Sequence, residues 1–481
     1  MILKNSVCIV IAGLAFFNSC KKSAVKNESG TSSFDITTRI EINRAEKYQS
    51  IDGFGFFGAQ DVWWEQDQSK LYSEAWAKQV INDLGITIWR NEYHPPATPA
   101  QNQDSNWEKD KPVVEGLAKV ARENKVPLKV IFTIWSPPAE LKCAVDTNTN
   151  EPISGTPHPY GTIKGGTLDP AKYTQFANWL ADGIQLYKNS GVDVYAISPQ
   201  NEPLFVEPYN SCVYKPQKWY SQMLKNVVPV VKARFPNVKI FGSENMLEME
   251  GGTDRQWFYG ADIMKDPEAL SMLDIWALHG YLEGIKPTES SKVAGLWQTV
   301  RTEYAEPSNK PVWMTETSGY GNNWTKIGDK PGALDLGMDI LAALYYGKIS
   351  GWVWWQGSGG DEDYSLMNGM QAGKKYYTSK HFYRFIRPGS RMIKLTFNNA
   401  DKVSGVAFEN ENMGSFTVVL INPTNKKVKV NLTGADIPEE FDFYYTTASD
   451  NCKKKEKKVK KDEIILPALS MVTLVNGNVF E

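Results

Sequence analysis

Ile197-Ser198-Pro199-Gln200-Asn201-Glu202-Pro203 and Val312-Trp313-Met314-Thr315-Glu316-Thr317 are two apolar runs, each of which closes on a carboxylate. Parallel-barrel enzymes present their reactive groups in this way, at the C-terminal ends of short buried strands. Reading outward from the two runs, similar β-rich segments recur at Gly53–Phe57, Thr87–Asn91, Leu128–Trp135, Lys239–Ser243, Ile275–Tyr281 and Gly351–Gln356. With Val194–Ser198 and Pro311–Glu316 they make eight. Amphipathic stretches such as Ala75–Leu84, Val113–Asn124, Tyr173–Asn189, Trp219–Arg234 and Ala333–Tyr346 alternate with them. The pattern predicts an α/β fold, a (β/α)8 TIM barrel over residues 51–389. A doubly wound open sheet is the alternative, but no helix opens on its phosphate-binding glycine fingerprint.

After Arg387-Pro388-Gly389 the texture changes. Leu395–Phe397, Val403–Phe408, Phe416–Asn422, Lys427–Leu432, Phe441–Thr446 and Glu463–Val475 read as strands joined by Asn, Gly and Pro turns. Residues 390–481 therefore form an all-β side domain. Its edges need partners, and the alternating segment at 34–50 can supply them, so the domain is built from both ends of the chain. The lysine-rich run Lys453–Lys461 reads as a solvated hairpin tip.

The N-terminus reads as a targeting segment. Lys4 precedes an apolar run, Val7 to Phe17, too short to span a bilayer, and Asn18-Ser19-Cys20 follows. Residues 1–20 are expected to be a signal peptide whose end resembles the lipobox of bacterial lipoproteins, with Cys20 lipidated; ordinary secretion is the fallback. Residues 21–33 make a flexible tether. An exported lipoprotein at the outer membrane, cell surface or periplasm is expected, touching the membrane only through that anchor.

Charge excludes some partners. With 53 basic against 55 acidic residues, the net charge of −2 offers no field for nucleic acid. Four histidines and five cysteines show no metal-ligand spacing, so neither metal nor cofactor is expected. Cys143 and Cys212 could bridge at the rim of the site, or stay as thiols. Aromatic residues make up 12% of the chain, and stacking on sugar faces is one use for them beyond core packing.

Two glutamates at the ends of the fourth and seventh strands can face each other across a barrel mouth. Glycosidic hydrolysis needs such a pair, one carboxylic acid for the leaving oxygen and one carboxylate on the other face of the sugar. Asn201-Glu202-Pro203 with Thr315-Glu316 resembles clan A glycoside hydrolases. The fuller set resembles glycoside hydrolase family 30: Gln49-Ser50-Ile51-Asp52-Gly53-Phe54-Gly55, Trp135-Ser136-Pro137-Pro138-Ala139, Tyr195 to Pro203, Trp313 to Glu316, Lys375-Tyr376-Tyr377 and His381 to Gly389.

That resemblance implies a retaining mechanism with Glu202 as acid/base and Glu316 as nucleophile. It also implies that Arg90 and Tyr281 donate to Glu316, and that the side domain joins both flanks of the barrel. Asn201 can donate to the sugar 2-hydroxyl. His279 shares a strand face with Tyr281 and either orients the site or is a core histidine. Trp135 and one of Trp354 and Trp355 can stack on sugar; alternation favours Trp355. Trp63 and Trp64 extend the cleft or pack beneath the first loop.

Family members acting on glucuronoxylan carry an arginine-bearing segment after the last strand. Here that place reads Gln356-Gly357-Ser358-Gly359-Gly360-Asp361-Glu362-Asp363. The expected substrate is accordingly a neutral polysaccharide of the xylan, β-1,6-glucan or β-1,6-galactan class, cut by an endo-acting monomer. The alternatives are an exo-acting, glucosylceramidase-like β-glycosidase and a non-catalytic glycan-binding lipoprotein.

Overall fold

A computed structural model of the protein describes residues 36–58, 73–96, 107–158, 164–207, 210–252, 258–281, 291–360, 363–400 and 402–479. The signal peptide, Cys20, the tether, Trp63 and Trp64 lie outside the described residues. Among those described, no helix is long and apolar enough to cross a membrane.

Eight parallel strands close into a barrel in chain order: Gly53–Phe57, Ile88–Glu92, Lys129–Thr133, Val194–Ser198, Lys239–Met246, Ile275–His279, Val312–Glu316 and Gly351–Trp355. They are barrel strands 1 to 8 below. Ile88, Ile131, Ala196, Phe241, Ile275, Ala277, Trp313 and Val353 pack together as one cluster. Their neighbours in sequence, such as Trp89, Phe132, Ile197 and Trp352, belong to the larger core under the helices. This is the period of two in a strand buried on both faces, and it explains why these strands read as continuous apolar runs. Two residues beyond four of these the same face reaches the barrel mouth: Arg90 after Ile88, Thr133 after Ile131, His279 after Ala277, Trp355 after Val353.

Helices Tyr173–Asn189 and Ala333–Tyr346 have the expected bounds. Helix Lys218–Arg234 begins one residue before its expected start. Strands 2, 7 and 8 differ from expectation by one residue at one or both ends, strand 3 stops at Thr133 rather than Trp135, and strands 5 and 6 differ in ways that bear on the site. Strand 5 continues past Ser243 to Met246, and strand 6 stops at His279, where Gly280 N donates instead to Glu316 O at 2.9 Å. The first helix is α only over Glu74–Lys78. It widens into a π turn, Gln79–Leu84, which keeps Val80, Ile81 and Leu84 all buried before Gly85 ends it at φ 90°.

The side domain is a ten-stranded sheet system. Ile36–Ser50 runs through it as a single 15-residue strand, antiparallel to Arg391–Phe397 and parallel to Val428–Thr433. One face has its own core, including Ile40, Val418, Leu420, Phe443 and Leu474. The other contributes Phe408, Val419, Ile421 and Met471 to the barrel core. His381, on helix Lys374–Tyr383, sits between Thr473 Oγ1 at 2.7 Å and Thr446 Oγ1 at 2.8 Å. Burial pushes its pKa down to about 3, so a neutral imidazole joins the two domains.

Two expectations for this domain are corrected. Glu463–Val475 is two strands, Ile464–Leu466 and Ser470–Asn476, because Pro467 has no N–H for a ladder and Leu469 turns the chain at φ 44°. Lys453–Lys461 is not a projecting tip. Lys453–Lys454 and Val459–Lys460 fold back along strand Glu440–Thr446, and the Lys455 ammonium sits 3.8 Å over the Phe443 ring. Lysines on a sheet edge hinder pairing with another chain.

Candidate active site

The barrel mouth opens into a cavity of about 640 Å³ lined by Trp135, Asn201, Glu202, Tyr281, Glu316 and Trp355, together with residues of the loops after strands 7 and 8. Six of the eight expected active-site residues thus border one space. The other two, Arg90 and His279, are fully buried beneath it.

Arg90 organises the floor. Its guanidinium donates to Glu316 Oε2 at 2.6 Å, Asn201 Oδ1 at 2.8 Å and Glu244 Oε1 at 2.9 Å, and its Nε to Thr133 Oγ1 at 3.3 Å. A planar fork can hold several acceptors rigidly, which an ammonium cannot. The same guanidinium lies 5.4 Å from the Phe57 ring centroid and 5.1 Å from that of Trp135. Burial opposes its charge, but Glu244 and Glu316 outweigh burial and raise its pKa further. Because Asn201 Oδ1 accepts from Arg90, its amide nitrogen is the end left to donate toward the cavity.

Glu316 receives a second donor on its other oxygen, the Tyr281 hydroxyl. Burial, with the Glu316 charge next, holds the Tyr281 pKa well above that of a free tyrosine, so the phenol keeps its proton and remains a donor. His279 Nδ1 is 2.8 Å from Glu202 Oε1, Nε2 is 3.5 Å from Glu244 Oε1, and Nδ1 is 3.9 Å from Glu316 Oε1. Burial works against its charge; the Glu316 field and the hydrogen bonds His279 donates to Glu202 and Glu244 prevail, raising its pKa to about 9. His279 is therefore an imidazolium at neutral pH, and it is a site residue rather than a core histidine.

Glu244 was not anticipated from the sequence. It is fully buried, accepts from Arg90, His279 and Thr133 Oγ1, and lies one residue past the expected end of strand 5. Burial raises its pKa, yet the Arg90 charge and His279 reverse the balance and leave it lowered. Glu202 and Glu244 both adopt left-handed backbone conformations, at φ 41° and 55°. Such residues cost on the order of 1–3 kcal/mol and persist where surrounding contacts over-determine them.

The aromatic expectations divide as alternation requires. Trp355 turns to the cavity and stacks on Phe57 at 4.3 Å, with Trp135 5.9 Å away. Trp354 is buried on the other face, its Nε1 donating to Tyr364 O at 2.6 Å. The rim is tied without a disulfide. Cys143 and Cys212 are free, buried thiols, and the neighbouring Lys142 Nζ donates to Ser211 O at 2.7 Å and Ser136 Oγ at 3.0 Å. Burial brings Lys142 down to about 8.

Glu202, His279 and Glu316 offer ligand atoms within 4.8 Å of one another, a spacing that a metal ion could use. A protonated imidazole has no free lone pair for a metal, and both carboxylates are already held by donors. The set fits proton and glycosyl transfer better than metal binding. Met246 at the end of strand 5 and the loop residues Ser318, Gly319, Asp329, Lys330, Asp363 and Tyr364 complete the lining; irregular loops gave the latter no periodic signal in the sequence.

Residues 389–474 match the glycosyl hydrolase family 30 beta sandwich domain. The glucuronoxylanase XynC of Bacillus subtilis is 26% identical over 438 residues, covering 89% of this chain and 87% of its own. An endo-1,6-beta-D-glucanase of Aspergillus fumigatus is 32% identical over 144 residues, 27% of this chain and 29% of its own. Among solved structures, the family 30 subfamily 8 xylanase Xyn30A of Clostridium acetobutylicum superimposes with a TM-score of 0.69 at 21% identity, over 92% of this chain and all of that one. Barrel, two-flank side domain, matched sandwich and relatives along most of its length agree: the chain carries a glycosyl hydrolase family 30 beta sandwich domain and is similar to family 30 enzymes over most of its length.

Proposed function

We propose that the protein is a retaining, endo-acting glycoside hydrolase of a neutral β-linked polysaccharide, with Glu316 as nucleophile and Glu202 as acid/base. One observation carries the mechanism: carboxylate oxygens of Glu202 and Glu316 lie within 4.8 Å of each other. Retaining pairs stand about 5–5.5 Å apart, whereas inverting pairs leave about 6.5–9.5 Å for a water.

Glu316 attacks the anomeric carbon while Glu202 gives its proton to the departing oxygen. Arg90 and Tyr281 fix the Glu316 carboxylate in place before the reaction, so little reorganisation accompanies the attack. The ester then forms on Glu316. Glu202, now a carboxylate beside the His279 cation, takes a proton from water, which attacks the same carbon and releases sugar of unchanged configuration. Asn201 supports the sugar 2-hydroxyl, and Trp355 and Trp135 exclude water and stack on its apolar face.

The backbone class rests on relatives named as acting on glucuronoxylan and β-1,6-glucan and on a solved neighbour named a xylanase; neutrality rests on the described part of the cavity, where Lys330 is the one basic lining residue. The exported, lipid-anchored setting rests on the sequence of residues 1–20 alone. Reducing ends released from a panel of xylan, β-1,6-glucan and β-1,6-galactan test the class, and a ladder of early oligosaccharides distinguishes endo action from monosaccharide release. Proton NMR of the first products should show the β-anomer before mutarotation. An initial α-anomer sinks the retaining mechanism.

A further inference from the structure

The loops after barrel strands 7 and 8 are joined at one residue. Lys330 Nζ is in direct contact with the Asp363 carboxylate. The Asp363 carbonyl accepts from Gly319 N at 3.3 Å and from the buried Lys375 Nζ at 3.3 Å. Asp363 is therefore held from the strand 7 loop twice and from helix Lys374–Tyr383 once. Its neighbour is equally fixed: the Tyr364 carbonyl accepts from Gln356 N at 2.5 Å and Trp354 Nε1 at 2.6 Å, while the ring is 44% exposed at the cavity.

This wall lines the same cavity as Glu316. Four carboxyls, of Glu202, Glu316, Asp329 and Asp363, face the cavity beside Lys330, the one basic side chain among its described lining residues. Both members of the Lys330–Asp363 pair are about half exposed, so incoming sugar can reach them.

We propose that Asp363 sets the charge selectivity of the cleft: it occupies Lys330, leaves the wall net acidic, and so admits neutral sugars while refusing those bearing a carboxylate. The inference rests on the reading of the cavity as a glycan cleft and names which glycans enter. A carboxylate such as Asp363 accepts hydrogen bonds from sugar hydroxyls at no charge penalty, whereas a uronate there meets like charge. In an Asp363→Asn protein the Lys330 ammonium is released toward the cleft, and the same position attracts a uronate.

The test uses the full chain and paired probes of like shape, D-glucose with D-glucuronate and D-galactose with D-galacturonate, with affinities from saturation-transfer NMR. Wild type binds the neutral member of at least one pair more tightly. Asp363→Asn shifts the uronate-to-neutral affinity ratio toward the uronate by about fivefold, the scale of one exposed charge pair, and added salt erases the shift. Lys330→Met shifts the ratio the other way and serves where Asp363→Asn fails to melt with wild type. A ratio unmoved by both substitutions, or a wild type that binds the uronates as tightly as the neutral sugars, overturns the proposal. Binding is read apart from turnover, so a protein that shows the expected ratios yet hydrolyses no polysaccharide refutes the proposed reaction and leaves this selectivity standing.

Discussion

The floor of the cleft and its wall are built on opposite principles. Arg90, Glu244, His279 and Glu316 come from strand ends, are at least nine-tenths buried, and satisfy one another in a closed charge network. Lys330, Asp363 and Tyr364 come from loops, are partly exposed, and are fixed chiefly through their backbones or a single ion pair. A buried network tolerates no missing member, because each loss strands a charge in low dielectric. A wall whose side chains face water can change its members and remain folded. In the proposed reaction the floor holds the nucleophile Glu316, and in the proposed selectivity the wall chooses the sugar.

Four substitutions would break or sharpen that contrast. Glu316→Gln should lower kcat by at least about 10⁴-fold, the scale for removing a nucleophile, while ligand affinity in the same NMR titration persists. Arg90→Ala should cost about 3–5 kcal/mol of unfolding free energy in urea, since Glu244 and Glu316 lose their shared cation. An effect at the scale of a surface ion pair would show that the floor is less closed than its contacts imply.

The third concerns pH. His279 is raised from 6.5 to about 9 in the folded protein, so the stability it contributes is fully present below about pH 6.5 and is lost as pH rises through about 9. Glu244→Gln removes one of the charges that raise it. The alkaline fall in melting temperature should then begin at lower pH than in wild type, and identical profiles would mean that Glu244 does not hold the imidazolium. The smallest effect belongs to the wall: Tyr364→Ala should raise KM by about two- to tenfold with kcat and melting temperature near wild type, the range of one aromatic contact.

The sequence made the floor legible to the extent that it is periodic. Alternation along Gly351–Gln356 was enough to choose Trp355 over Trp354, and the apolar runs located Glu316 at a strand end and Glu202 in the turn just past one, four residues beyond Ser198. Glu244 escaped because its left-handed backbone follows Ser243, where regular alternation stops; nothing in Ser243-Glu244-Asn245 signals that the strand resumes. Asp363 lies in the loop the sequence singled out, but its pairing with Lys330 escaped for a different reason. Their meeting depends on two loops of irregular conformation, and loop geometry has no repeat to read. The lysine run at 453–461 misled because charge alone does not distinguish a tip from an edge.

The strand Ile36–Ser50 has a consequence for how the molecule comes into being. It emerges early in synthesis, yet both of its partners, Arg391–Phe397 and Val428–Thr433, are encoded more than three hundred residues later. Until then a fifteen-residue strand, apolar at Ile36, Ile40 and Ile42, has no ladder to join. Closure of so distant a contact is slow, and an unpaired strand of this length is open to adventitious pairing. A chain cut short before residue 391 would be left with that strand unclaimed, and one cut between 397 and 428 would pair it on one edge only.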